Sequence, residues 1–131
     1  MKNLIGYAVL IFLSSLVLYY SWLTEPSFKN ESYLPAWLIE WTDLHGQVRT
    51  AVPFFLMGFL GFLFHENRLK AFLRFVVFSF FLVLIAELGQ LFLPLRFPDI
   101  MDIFYGILGG TLGFGVQGFF VMILKANEQK R

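Results

Sequence analysis

Apolar residues fall in four long runs, residues 4–23, 48–64, 71–93 and 100–124, separated by short polar breaks. A helix needs about 20 residues to cross the hydrocarbon core of a bilayer. The second run is at the short end of that requirement, so its helix is expected to start before Val48. The pattern predicts an all-α fold: a polytopic membrane protein built as a four-transmembrane-helix bundle, with residues 1–131 as one domain. Lys2 ahead of the first run gives it the look of a signal peptide. The run is long for one and has no clear small-x-small cleavage site, so a retained helix is expected. The loop before the second run carries its own helical pattern. Ser32 is placed to cap it and Pro35 suits its first turn. Leu34, Trp37, Leu38 and Trp41 then share one face, with Glu40 and Asp43 elsewhere, as in a short interfacial helix lying in the headgroup layer or an aromatic belt anchoring the bundle.

Composition agrees. The chain is 58% hydrophobic and only 15% charged, whereas a soluble domain carries about a quarter charged residues. A net charge of +1 gives no case for nucleic acid as a partner. The absence of cysteine excludes disulfides, thiol nucleophiles and thiolate metal sites, and neither His45 nor His65 sits in a zinc signature, so no metal site is expected. Lys and Arg set the expected orientation. Lys2, Arg68, Lys70, Arg74, Lys125, Lys130 and Arg131 fall on one side of a four-span arrangement, against Lys29, Arg49 and Arg96 on the other. The positive-inside bias then puts both termini in the cytoplasm and the loops at 24–47 and 94–99 outside. His65, Glu66, Arg68 and Lys70 read as a solvated inner turn, and residues 125–131 as a polar tail.

The chemistry concentrates in residues 87–102. Ionisable groups inside a spanning segment are costly and seldom incidental. Glu87 and Gln90 are three apart and share a helix face. Arg96 is the nearest cation in sequence, in a turn restricted by Pro94 and Pro98. Asp99 is placed to cap the last helix. Asp102, in that helix's first turn, lies on a face continued by Gly106, Gly109, Gly110, Gly113 and Gln117, where small residues admit a close neighbour. Glu87 and Gln90 are the expected partners across that face. Asp43, His45 and Arg49 enter from the same outer side, as interface anchors or as further walls of one pocket with Glu87, Gln90, Arg96, Asp99 and Asp102.

The order Glu87-x-x-Gln90, Pro94-x-Arg96, Asp99-x-x-Asp102, Gly109-Gly110 resembles the VanZ-like family of small bacterial membrane proteins. Asp43 and His45 are similar to the family's earlier Asp and His motif. The resemblance covers roughly residues 41–114. Two positions depart from it: Gly106 stands where the family usually has Asn, and Asp43 and His45 are two apart instead of four. The resemblance implies a multi-pass protein of the bacterial cell membrane, in a family whose name-giving member is linked to resistance to the glycopeptide teicoplanin.

Three functions suit these residues. The first is binding or handling an amphipathic envelope molecule such as a lipid-linked glycan, a lipid headgroup or a lipoglycopeptide, with membrane lipids as partners and Arg49 and Arg96 on its anionic group. The second is an intramembrane enzyme acting on a lipid headgroup. Glu87 or Asp102 would be its acid or base, His45 its proton shuttle, and a divalent cation on Asp99 and Asp102 a conceivable aid. The third is interhelical glue. Transport is less suited to four spans without repeats, unless a homo-oligomer supplies the second half.

Overall fold

A computed structural model describes residues 2–61 and 67–129, with side chains from Leu4 onward. Among these residues all regular structure is helical: α1 (Lys2–Ser21), α2 (Ala36–Leu44), α3 (Gly46–Phe59), α4 (Arg68–Gln90) and α5 (Ile100–Glu128). His65, Glu66, Lys130 and Arg131, assigned above to the inner turn and tail, lie outside the described residues, as does the Lys2 side chain.

Local chemistry accounts for the ends. The Asn67 side chain caps α4 by accepting from the Leu69 N–H at 2.9 Å. Asp99 caps α5, accepting from the Met101 N–H at 2.9 Å, as expected. Helix α4 stops at Gln90, four residues before Pro94, and three further backbone turns carry the chain to Arg96. Ser32 is not the cap of α2. The helix begins one residue after Pro35, which has no side chain to donate or accept, and no side-chain cap bond forms. Nor is the aromatic face of α2 uniform: Trp37 is 69% exposed, while Leu38 and Trp41 are half-buried.

Among the described residues three helices, α1, α4 and α5, are long and apolar enough to cross a membrane, not the four expected. Helix α3 begins before Val48 as expected but ends at Phe59 after 14 residues, a rise of about 21 Å. Its run contains Gly58 and Gly61, both poor helix formers, and the end of the expected span, residues 62–66, lies outside the described residues.

Contacts fix the directions. The Trp22 indole N–H at the end of α1 donates to the Ala86 carbonyl near the end of α4, so these helices run the same way. Thr50 of α3 meets Asp102 of α5, and Gly61 beyond α3 meets Phe114, so those two run together as well. Val83 of α4 lies against Gly106 and Phe75 against Gly110, which makes α4 antiparallel to α5. The start of α1 and the end of α5 therefore lie at the end of the bundle away from Asp102.

The glycine face of α5 packs chiefly on α3, not on α4 as expected. A Cβ at Gly109 would strike the Ala51 carbonyl, one at Gly113 the Phe55 carbonyl, and one at Gly58 of α3 the Gly110 carbonyl. The backbones touch, which is what small residues at a membrane helix interface permit. Phe54, Met57, Phe75 and Val83 fill the core beside this contact, joined by Leu10 of α1.

Candidate functional site

The outer-end polar residues are held by a network that the sequence does not spell out. Glu87 is buried. Its Oε2 accepts from the Asp99 backbone N–H at 2.7 Å, and its Oε1 accepts from Gln90 Nε2 at 3.3 Å. Gln90 also donates to the Ser21 hydroxyl of α1 at 2.9 Å. One carboxylate therefore clamps the turn that leads into α5, and its neighbour reaches across to α1.

Arg96 is not hydrogen-bonded to Glu87. Its Nε donates to the Leu23 carbonyl at 2.8 Å, and its Nη2 to the carbonyls of Glu25 at 2.8 Å and Tyr20 at 3.2 Å. These oxygens belong to the end of α1 and the turn beyond it, where carbonyls have no intrahelical donor. The guanidinium supplies the missing donors from 71 to 76 residues away. Burial and the neighbouring Arg49 charge lower its pKa, and Asp102 and Glu87 oppose that shift. Arginine stays protonated through such shifts.

Asp102 accepts from the Thr50 hydroxyl of α3 at 3.0 Å. Arg49, one residue earlier, donates to the Pro26 carbonyl at 2.9 Å and lies 4.8 Å above the Phe28 ring. Arg49 and Arg96 thus both fasten the 22–35 loop, through its backbone.

These groups surround one cavity of about 590 Å³. Arg49, Thr50, Glu87, Gln90, Arg96, Asp99 and Asp102 line its polar end, with Tyr20 of α1 and Thr42 of α2 beside them. Leu13 and Val17 of α1 and Val52 and Leu56 of α3 line the apolar remainder. The size is that of a small-molecule site, and a mostly apolar wall with a few convergent polar groups is its usual make-up.

Two expected members are not in the wall. Asp43 accepts from the Ser27 hydroxyl at 2.7 Å and faces the 22–35 loop. His45 is exposed, stacked on Trp41 at 5.4 Å, with Nδ1 3.0 Å from the Trp41 carbonyl. It stands at the α2–α3 corner. The conceivable cation site fares no better: Asp99 spends an oxygen on its cap, and among the described residues no group of three or more His, Cys, Asp or Glu side chains is placed to hold a metal ion.

The order of the clustered residues along the chain can now be set beside known families. The profile of the VanZ/LLP1 family matches residues 3–122. The chain belongs to the VanZ/LLP1 family. The match takes in α1, which carries no motif of its own in the sequence. No curated protein matches this VanZ/LLP1 chain, and no solved structure does. In this VanZ/LLP1 protein Gly106 stands where the resemblance leads one to expect Asn, and it packs against Val83 and Phe54. Any larger side chain there would enter the α4 contact, so the position serves packing in this chain.

Sequence reasoning missed Thr50, Ser21 and Tyr20. Each is an ordinary residue of an apolar helix, and only the fold sets it against an acid, an amide or a guanidinium.

Proposed function

We propose that this protein binds the polar headgroup of an amphipathic envelope molecule, a lipid or a lipid-linked glycan, at the outer face of the bacterial cell membrane. The observation that carries the reading is the single cavity in which two arginines and three carboxylates meet an apolar wall. Arginine suits phosphate and carboxylate oxygens, and Asp102 and Gln90 suit sugar or other hydroxyl donors. The reading places both termini in the cytoplasm, on the seven-to-three excess of Lys and Arg at that end. It takes α3 as part of a fourth crossing, and it lays α2 in the headgroup layer above the cavity. A link to glycopeptide resistance follows if the bound molecule carries the glycopeptide's target.

The test is lipid mass spectrometry on protein purified from bacterial membranes in mild detergent. Wild-type protein is expected to retain a defined amphiphile, and Asp102→Asn and Arg49→Gln to lose it while remaining folded. Equal retention by both variants overturns the reading.

A further inference from the structure

The apolar part of the cavity continues to the outside of the bundle. Val52 and Leu56 of α3 line the cavity and are also among the exposed large apolar residues of the molecule. Opposite them Leu13, Leu16 and Val17 of α1 line the cavity and remain half-buried. Helices α1 and α3 touch only sparsely, because the bonds that hold α1 lie at its outer end, at Tyr20, Ser21 and Trp22. Leu10, three residues before Leu13, packs into the core. From Tyr20 to Leu13 the wall descends seven residues, or about 10 Å along the helix.

We infer that the gap between α1 and α3 is a lateral portal, in which one hydrocarbon chain of a membrane lipid lies alongside the helices with its headgroup in the polar end. This rests on the headgroup reading above. The occupant follows from the order of the walls. Charged and hydrogen-bonding groups lie at the outer end, with unbroken aliphatic surface below them and an opening on a face that meets lipid. An amphiphile standing parallel to the helices matches all three, and bilayer lipids stand that way. A partner helix would have to cover the arginines and carboxylates with side chains as well as fill the slot.

The chain has no cysteine, so a single introduced one labels uniquely. Leu13→Cys, labelled with bimane, is reconstituted in phosphatidylglycerol–phosphatidylethanolamine vesicles containing a phospholipid with a doxyl group on its acyl chain. Leu108→Cys, exposed on α5, is the lipid-facing control. The portal predicts that the Leu13 label is quenched comparably to the Leu108 label. Adding Leu16→Phe and Val52→Phe is expected to abolish quenching at Leu13 and leave it at Leu108, which also reports that the bundle is intact. A Leu13 label that escapes quenching, or one still quenched behind both phenylalanines, overturns the portal. Asp102-dependent lipid retention in those samples would leave the headgroup site standing. Quenching that the phenylalanines abolish, in a protein whose lipid is indifferent to Asp102, supports the portal and removes the headgroup reading instead.

Discussion

Thr50 donates to Asp102 at 3.0 Å across the most extensive helix contact among the described residues, and that bond connects α3 to the acid in the first turn of α5. Thr50→Val keeps the shape and removes the donor. Interhelical hydrogen bonds in membranes average about 0.6 kcal/mol. The variant is therefore expected to unfold close to the wild-type denaturant midpoint while its lipid retention changes. Loss of stability and retention in proportion, here and in Glu87→Gln, would make the polar set glue and nothing more.

The glycines separate into two groups. A Cβ at Gly113 meets the Phe55 backbone, which cannot step aside, whereas a Cβ at Gly115 meets nothing within 4 Å. Gly113→Ala is expected to cost about 2 kcal/mol through overpacking. Gly115→Ala should be neutral or stabilise by roughly 0.5 to 1 kcal/mol, through helix propensity. Thermal unfolding in detergent ranks the two, and equal midpoints would contradict the α3–α5 geometry.

Arg96→Lys retains the charge and loses the fork. A single ammonium cannot reach the carbonyls of Tyr20, Leu23 and Glu25 in the same directions. Hydrogen bonds to charged groups are worth about 1.5 to 3 kcal/mol, so a loss of roughly that size is expected. It should appear first as faster proteolysis in residues 22–35, and an unchanged cleavage rate would show that the loop is held by other means.

Ser79 is fully buried in α4, and its hydroxyl has no hydrogen-bond partner among the described residues. Leaving a buried polar group unpaired costs about 1 to 3 kcal/mol. Ser79→Ala is expected to raise the unfolding midpoint, at the cost of only a very small cavity. A lower midpoint would mean that the hydroxyl is bonded in the membrane.

The parts of this structure legible in the sequence are those decided by neighbours in the chain. The Asp99 cap, the Pro94–Pro98 turn and the shared face of Glu87 and Gln90 depend on spacings of one to four residues. The grouping of Arg49, Arg96, Glu87 and Asp102 was also legible, because charges in apolar runs have few places to go. What escaped was pairing at long range. Arg96 reads as the counter-ion of Glu87 because the two are close in sequence, yet Glu87 accepts from an amide N–H and Arg96 donates to main-chain oxygens at the end of α1 and in the turn beyond it. Main-chain oxygens carry no residue signature. The glycine stripe announced a close contact without naming its partner, and α3 took it because its own Gly58 completes the fit. The second run read as a span by hydropathy, which does not register where Gly58 and Gly61 weaken the helix.

Arg96 recognises the end of α1 by backbone alone. The identities of Leu23 and Glu25 are therefore invisible to the anchor. In evolutionary terms, substitutions at those two positions can accumulate without loosening the first helix, while a change at the arginine is felt at once by a segment more than seventy residues away.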